Sequence, residues 1–399
     1  MREKGPSGPL NTAPAPGMMS RMRRSMLVVG GVALLVAGCG GDPAGGPPDH
    51  VTPLTSQVSA AGAEPAGDVF TVVASGDVLI HPALTEQAVA DGQGGRDFGP
   101  LFSGVRDVIE AADLAICHLE VPLAGPDGPF EGYPLFSAPP EVATALADTG
   151  YDTCSTASNH TLDQGPEGVT STIETLTAAG IAQTGAARTA AEAAETLVTD
   201  VGAAKVGQVS FTFGLNSGTS EPEPWMANDL DVDAVLDAAR ATKEAGADVV
   251  VASLHWGVED QHEPTDEQRR IAGEVLADPA VDLIVGHHAH VVQPFEKING
   301  KWVAYGLGNQ VAKHAEPRGT TEEGVTARFR FAKGPDGWTV DLAEYVPTLV
   351  NLGPPIRLVD LTGEDTEVPA DRLAEALART DEVVASLGAV EDGLTRPGL

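Results

Sequence analysis

The chain has 399 residues, and its 24 Lys and Arg stand against 57 Asp and Glu, which gives a formal net charge of −33 at pH 7. Nucleic-acid binding relies on Lys and Arg contacts with phosphates, so this acidity argues against a nucleic-acid partner. The length excludes a very small scaffold and allows one large α/β domain or two smaller ones.

Residues 1–38 have the pattern of a bacterial lipoprotein signal peptide. Arg21, Arg23 and Arg24 form a basic region, and the apolar run 26–37 that follows is too short for a permanent membrane helix. The run ends in Val-Ala-Gly directly before Cys39, which resembles a lipobox, where signal cleavage precedes a cysteine that carries lipid. An ordinary signal peptide followed by a chance cysteine is the alternative.

Residues 39–67 consist mainly of Gly, Pro, Ala, Asp and Thr. Such a segment cannot bury enough apolar surface to offset its chain entropy, so it predicts a disordered tether. Together with lipid on Cys39, the tether predicts an extracytoplasmic protein that is anchored to the cell membrane, with a folded body from residue 68.

From residue 68 the chain alternates short apolar runs with amphipathic patterns, which predicts strands and helices in turn. Strand–helix–strand repeats favour parallel strands joined by right-handed crossovers. The late strands have little helix between them and predict a partly antiparallel second sheet, and an acidic C-terminal pattern predicts a helix on the outside. The predicted strands are 69–74, 114–117, 151–155, 206–213, 249–254, 283–285, 303–307, 325–331 and 338–345, and the predicted helices are 101–112, 140–148, 167–179, 232–245, 267–276 and 370–390.

Polar residues of the metal-ligand type follow five of these strands directly. The carboxyl ends of strands in an open α/β sheet meet at one edge, where ligands bind, so the five segments should converge on one pocket. One such histidine alone is more often structural, but the recurrence at strand ends favours a shared site. The segments are Ser75-Gly76-Asp77 with His81 nearby, His118-Leu119-Glu120, Ser158-Asn159-His160, His255-Trp256-Gly257 and Gly286-His287-His288-Ala289-His290.

Imidazole and carboxylate donors suit Mn, Fe or Zn, whereas a histidine-rich set disfavours calcium. We therefore expect one or two divalent metal ions, and a pair would need about seven protein ligands. Residues close to the motifs are expected to orient ligands or substrate. The candidate ligands are Asp77, Glu120, Asn159, His255, His288, His290 and His81, and the candidate supporting residues are His118, Asp163, Glu259, His287 and Asn309.

Together with Tyr305-Gly306-Leu307-Gly308-Asn309, these motifs resemble the CapA family of poly-γ-glutamate and capsule-associated proteins, within the calcineurin-like metallophosphoesterase superfamily. The resemblance covers about residues 68–315. It implies a four-layer α/β sandwich with two mixed β-sheets flanked by helices, in a domain over residues 68–350 with a C-terminal extension over 351–399.

The same resemblance implies that Asn159, His255 and His288 hold a metal and that His160 assists the leaving group. Two departures stand out: Leu79 occupies the position of the first-motif histidine, and Glu120 replaces the bridging aspartate. The implied function is a metal-dependent phosphatase or other hydrolase in capsule or poly-γ-glutamate synthesis, acting on an anionic polymer or an envelope phosphate ester. The alternative is a non-catalytic, metal-containing component of polymer assembly and export.

Cys117 and Cys154 each lie near the end of a predicted strand. Outside the cytoplasm, adjacent parallel strands would allow them to form a disulfide. The other interpretation is two buried thiols that pack as small apolar side chains.

Overall fold

A computed structural model of the protein describes residues 68–216, 223–363 and 368–397. The predicted signal peptide, Cys39 and the tether up to residue 67 lie outside the described residues. The described residues belong to one compact unit. No helix within them is both long and apolar enough to span a membrane.

The strands are β1 (Val69–Val78), β2 (Leu114–Leu119), β3 (Thr153–Ser155), β4 (Ala182–Thr184), β5 (Leu197–Val201), β6 (Ala204–Thr212), β7 (Val249–His255), β8 (Leu283–His287), β9 (Phe295–Ile298), β10 (Lys301–Ala304), β11 (Asn309–Val311), β12 (Glu323–Gly334), β13 (Gly337–Asn351), β14 (Arg357–Asp360) and β15 (Leu394–Thr395). The helices are α1 (Pro82–Asp91), α2 (Gly99–Phe102), α3 (Arg106–Glu110), α4 (Glu141–Thr149), α5 (Gly165–Ala179), α6 (Ala190–Ala193), α7 (Val232–Glu244), α8 (Asp266–Val275) and α9 (Ala370–Ala385).

Two mixed sheets form the centre of the fold. The first has the order β14-β13-β12-β1-β2-β3-β4, with β11 pairing with β1 and β15 with β13. Its strands β1 to β4 are parallel, as the strand–helix repeats predict. The second sheet has the order β5-β6-β7-β8-β10-β9, in which β6, β7, β8 and β10 are parallel.

The apolar faces of the two sheets pack against each other, which gives the predicted four-layer sandwich. Val72 and Ile116 of the first sheet share one buried cluster with Val251 and Val285 of the second. The outer face of the first sheet is covered by α1 to α4 and that of the second by α7 and α8. Strands buried on both faces explain the continuous β-branched runs in the sequence.

The prediction that the late strands form a partly antiparallel second sheet is confirmed for β10, which pairs antiparallel with β9, but was wrong for β12 and β13. Strands β12 and β13 pair as the expected hairpin, but β12 adds antiparallel to β1, with Val69 opposite Ala332 and Ala74 opposite Ala327. Since β2 occupies one edge of β1, β12 completes the backbone hydrogen bonds of the other edge. The second sheet is formed by strands β5 to β10 instead.

The helix predicted over residues 101–112 is broken into α2 and α3. The chain passes close to β14 at the break, where Gly104 bridges Val359. A methyl group at Gly104 would lie 2.3 Å from the carbonyl oxygen of Leu358. This tertiary contact, which has no local signal, prevents a continuous helix.

The domain boundary predicted at residue 350 falls inside β13. In addition, β14 and β15 from the C-terminal segment both pair with that strand. The predicted C-terminal helix is confirmed as α9. It is held to the sheet by Arg379, whose guanidinium Nε lies 2.9 Å from a carboxylate oxygen of buried Glu323. The described C-terminal residues are therefore part of the sandwich.

Strands β2 and β3 place Cys117 directly opposite Cys154. Their Cα atoms are 4.4 Å apart, and the two side chains are joined in a disulfide. Both residues are fully buried in the outer core of the first sheet.

A half-buried ion pair links the end of α1 to β14, and it predicts that stability depends on pH. Asp91 accepts two hydrogen bonds from Arg357, at 2.9 and 3.0 Å. Burial raises the pKa of Asp91, but hydrogen bonds from Arg357 and Gln87 outweigh it and hold the pKa below its ordinary value. Because the folded-state pKa is lowered, this stabilisation is present above the ordinary Asp pKa and is lost as the pH falls through the lowered value.

We expect Asp91→Asn to reduce the free energy of unfolding by about 1 kcal/mol at pH 7, and by much less near pH 3. Urea denaturation at both pH values measures the difference. Exposed Asp107 provides the control, and Asp107→Asn should change neither value. An equal loss for Asp91→Asn at both pH values would contradict the ion-pair explanation.

Candidate metal centre

The predicted convergence of the strand ends is confirmed. Strand register places Asp77 opposite His118 in the first sheet and His255 opposite His287 in the second. Both sheets therefore present their polar strand ends at one edge of the sandwich. The side chains of the five segments are all buried there.

One group of donors combines Asp77, Glu120 and His290, whose ligand atoms all lie within 4.8 Å of one another. His290 Nε2 lies 3.6 Å from a Glu120 oxygen. On the other side of the ring, His290 Nδ1 lies 2.9 Å from Asn309 Oδ1. The Asn309 amide nitrogen donates to the backbone oxygen of Thr321, so its oxygen is the atom that accepts from His290. Asn309 thus turns Nε2 of His290 toward Glu120.

A second group combines Glu120, His255 and His288, again with ligand atoms within 4.8 Å. Asn159 adds its Oδ1 atom, 2.8 Å from His255 Nε2. Asn159 Nδ2 donates to Asn216 Oδ1 at 3.2 Å, which fixes the direction of the amide. Glu120 belongs to both groups and is the residue that could join two ions.

Two further groups involve supporting residues. Glu259, exposed after β7, offers a carboxylate oxygen within the same 4.8 Å limit of His288 and His290. Asp77 also lies close to His118 and His287. Both ring nitrogens of His118 are already hydrogen-bonded, so that last group is poorly suited to a cation.

The carboxylates of the centre fit a cation. Among residues 68–216, 223–363 and 368–397, neither oxygen of Glu120 has a hydrogen-bond partner, and Oδ1 of Asp77 faces His287 Nδ1 at 3.3 Å. Burial raises the pKa of the Glu120 carboxyl, against the field of His290. A buried carboxylate without donors is costly unless a cation compensates it, so these groups are compatible with divalent metal binding.

The imidazoles of the centre are mostly neutral, which is the state that binds metal. Burial lowers the pKa of His118 and His255 well below the usual range, and that of His288 to about 4. His290 differs: burial lowers its pKa, but Glu120 and Asp77 outweigh burial and raise it to about 10. Metal binding at His290 would therefore release a proton.

His160 lies beside the donors rather than within either group. Its Nδ1 is 2.5 Å from Asp163 Oδ2, which also accepts from the backbone nitrogen of Phe136 at 2.7 Å. The Asp163 carboxylate therefore holds the ring with Nδ1 protonated, and Nε2 is the nitrogen left for chemistry. Asp163 thus orients the His160 ring.

His81 is not brought into any of these donor groups of the described residues. Its Nδ1 lies 3.2 Å from the backbone oxygen of Leu79, and its ring is 4.7 Å from that of His314. Burial, assisted by His314, lowers the pKa of His81 to about 3. His287 contacts supporting residues rather than Glu120. Its ring stacks on that of His118, with the ring centroids 3.9 Å apart, and its Nδ1 lies 3.3 Å from Asp77 Oδ1.

A cavity of about 1100 Å³ opens beside the donors. Its lining includes both cationic and acidic side chains, so it can receive a polar substrate. Lining residues are His81, Tyr133, His160, Glu259, Lys313 and Arg318. A separate cavity of about 230 Å³ beside Arg188 is lined by none of the candidate ligands.

Sequence reasoning missed two residues that follow β6. The half-exposed Phe213 packs over His288, with ring centroids 4.5 Å apart. Asn216 accepts a hydrogen bond from Asn159 Nδ2 at 3.2 Å, and its own Nδ2 lies 3.4 Å from His160 Nε2. Their position after a strand was a usable signal, because β6 ends at the same edge of the sandwich as the other motif-bearing strands. However, an aromatic residue and a lone asparagine do not resemble a metal-binding motif.

Two glycines of the motifs permit close backbone approaches. A methyl group at Gly286 would lie 1.9 Å from the carbonyl oxygen of Tyr305 and 2.6 Å from the indole nitrogen of Trp256. A methyl group at Gly76 would lie 2.1 Å from the oxygen of Gly308. These contacts bring the strand ends of β1 and β8 close enough to share one centre.

Comparisons with known proteins agree with the motifs. The family described as bacterial capsule synthesis protein PGA_cap matches residues 71–314. The capsule biosynthesis protein CapA of Bacillus anthracis is 30% identical over 180 residues, which cover 44% of this chain and 43% of that protein. The PGA biosynthesis protein CapA of Bacillus subtilis (strain 168) is 25% identical over 295 residues, which cover 71% of this chain and 74% of that protein.

Among solved structures, a calcineurin-like phosphoesterase from Bacillus subtilis superposes with a TM-score of 0.43 at 14% identity, covering 80% of this chain and 98% of that one. The matched family covers more than half of the chain and includes every candidate metal ligand. The chain therefore belongs to the bacterial capsule synthesis family of CapA-type proteins, as its motifs predict.

Proposed function

We propose that this protein is a metal-dependent phosphoesterase of the cell envelope that acts in capsule or poly-γ-glutamate synthesis. One observation carries the proposal: Glu120, buried and without hydrogen-bond donors among the described residues, lies at the junction of two donor groups beside His160. The family assignment supports the link to capsule synthesis.

Asp77, Glu120 and His290 would hold one ion, and Glu120, Asn159, His255 and His288 would hold a second. A bound pair would lower the pKa of a coordinated water and stabilise the oxygens of an in-line displacement. Mn, Fe or Zn suits this mixture of imidazole, amide and carboxylate donors.

The chain's own contribution to the reaction is proton transfer and substrate orientation. Asp163 keeps Nδ1 of His160 protonated, so Nε2 can hold a proton at the cavity and pass it to a leaving oxygen. Lys313 lines the same cavity and suits an anionic ester, whereas Arg318, which also lines it, is ion-paired with Asp260.

We expect His160→Ala to lower the turnover of an aryl phosphate by about 10²- to 10⁴-fold while metal content stays at the wild-type level. Asp163→Asn should cause a smaller loss, because it misorients the imidazole without removing it. Steady-state kinetics with metal analysis of the same samples measures both effects. A fully active His160→Ala variant would exclude the proposed proton transfer.

The reaction class is tested on purified wild-type protein. Bound metal is measured by plasma mass spectrometry, and hydrolysis of aryl phosphates is compared with and without Mn. Folded protein that binds no divalent ion under any of these conditions would contradict the proposal.

A non-catalytic role in polymer assembly is the second candidate, and Leu79 favours it. Because residue 79 is a leucine, the donor group of Asp77, Glu120 and His290 has three side-chain donors, or four if Glu259 contributes. The discriminating experiment is His160→Ala in the native host: normal polymer output with abolished hydrolysis would favour assembly over catalysis.

We further propose that lipid on Cys39 anchors the protein to the extracytoplasmic face of the membrane. The proposal is supported by the basic and apolar segment before Cys39 in the sequence. Cys39→Ser should move the protein from the membrane fraction to the soluble or unprocessed fraction. Unchanged fractionation and processing would contradict a lipid anchor.

A further inference from the structure

Behind His255 a buried chain of hydrogen bonds runs through two further side chains, and we call His255, His118 and Ser155 the relay. His255 Nδ1 lies 3.0 Å from His118 Nε2, and His118 Nδ1 lies 2.8 Å from Ser155 Oγ. The Ser155 hydroxyl also reaches the backbone oxygen of Cys117 at 3.3 Å. All three relay residues are at most 1% exposed, so solvent does not compete for these bonds.

A neutral imidazole carries one N–H and one lone pair, so the relay has two polarities. In the first, Ser155 donates to His118, His118 donates to His255, and His255 Nε2–H donates to Asn159 Oδ1. In the second, His255 Nδ1–H donates to His118, His118 Nδ1–H donates to Ser155, and Ser155 donates to the carbonyl of Cys117. In the first polarity, every ring nitrogen of the relay takes part in a hydrogen bond. In the second, every ring nitrogen does so except Nε2 of His255.

That difference decides which polarity can bind a metal. In the second polarity, the Nε2 lone pair of His255 and the oxygen of Asn159 face each other at 2.8 Å, with a Glu120 oxygen 3.9 Å from the same nitrogen. Two acceptors at this distance repel one another unless a cation lies beside both. In the first polarity, a hydrogen on Nε2 blocks the position.

We infer that His118 and Ser155 are positioning residues that select the metal-binding tautomer of His255. Metal ligands of this kind usually donate their second N–H to a carboxylate, a carbonyl or water, whereas here a second imidazole accepts it. His118 can accept only because Ser155 takes its other N–H, and Ser155 can accept while donating to Cys117. The inference rests on the proposed metal centre and adds residues that do not themselves touch the ion.

Strand pairing and the disulfide hold the far end of the relay in place. Cys117 lies opposite Cys154 and His118 opposite Ser155 in the β2–β3 register, so the Cys117 carbonyl cannot easily shift. His118 is also stacked on His287, with the rings 3.9 Å apart and 13° from parallel. These contacts fix the ring plane of His118 against rotation.

The tautomers are directly observable. In full-length protein labelled with ¹⁵N-histidine and loaded with Zn, which is diamagnetic, long-range ¹⁵N–¹H spectra should show His118 and His255 both protonated at Nδ1. His118 protonated at Nε2 in the Zn-loaded protein would overturn the inference, because it could then not accept from His255. This measurement needs no variant.

A matched pair of substitutions tests the acceptor. His118→Phe keeps an aromatic ring against His287 but removes the acceptor. It should weaken Zn binding at the donor group that contains His255 by about 10- to 100-fold. His118→Gln restores an acceptor near the Nε2 position and should recover most of that affinity. Competition with a chromogenic chelator measures both, and the melting temperature shows whether each variant is folded.

The outcomes separate the two proposals. Wild-type Zn affinity in folded His118→Phe would overturn the relay and leave the metal centre standing. A wild-type protein that binds no Zn would overturn both. Weak binding in His118→Phe with recovery in His118→Gln, together with Nδ1 protonation of both rings, would establish the relay independently of any activity assay.

Discussion

Glu120→Gln should weaken the binding of both proposed metal ions. The Glu120 carboxylate lies within 4.8 Å of the ligand atoms of His290 in one donor group and of His255 and His288 in the other. A neutral amide is a far weaker ligand than a carboxylate, so one substitution should weaken both positions. Plasma mass spectrometry after dialysis should find less than about a tenth of the wild-type metal.

The same substitution should remove the stabilisation that metal gives the folded state. At an ion concentration 100 times the dissociation constant, wild-type protein should gain about 2.7 kcal/mol, and the variant almost none. Thermal melts with and without Mn measure both quantities.

Glu86→Gln is the matched control, since Glu86 lines the same cavity but belongs to none of the donor groups of the described residues. It should retain wild-type metal content and the full metal-dependent rise in melting temperature. Wild-type metal content in Glu120→Gln would show that Glu120 does not join the two positions.

Removing the disulfide should have the largest effect on stability. The bond between Cys117 and Cys154 closes a loop with a sequence separation of 37 residues. Loop-closure entropy for that length corresponds to about 4 kcal/mol at 25 °C, although native-state effects can reduce it. The double variant Cys117→Ala with Cys154→Ala should lose this amount in denaturant unfolding under non-reducing conditions.

Reductant provides the internal control for this prediction. It should lower the stability of the wild type toward that of the double variant and leave the variant unchanged. In unfolded, unreduced wild-type protein, Cys117 and Cys154 should contribute no free thiol, and reduction should release two. Two free thiols before reduction would support the alternative of buried, unpaired cysteines.

The sequence by itself determined the class of the fold and the place of the site. Alternating periodicities predict strands and helices, because each local pattern depends on residues a few positions apart. The rule that parallel strands end at one edge then unites Asp77, Asn159, His255 and His288 without knowledge of the strand order. These residues are in fact brought together, and the resemblance to the capsule synthesis family rests on the same motifs.

Local sequence patterns could not predict which strands pair with each other or where the C-terminal boundary lies. The hairpin of β12 and β13 was evident, but pairing with β1 depends on an open edge some 250 residues away in the chain. In the same way, the break between α2 and α3 follows from the approach of β14 to Gly104. Such contacts leave no periodic signal in either segment.

The roles of individual site residues were also decided only by the tertiary structure. His81 and Glu259 both follow motifs, yet His81 begins α1 at the cavity wall whereas Glu259 lies beside His288 and His290. His118 meets His255 across 137 residues of sequence, and this contact couples the tautomers of the two rings. Residue type limits what a side chain can donate or accept, but the direction of each hydrogen bond depends on partners that only the folded chain supplies.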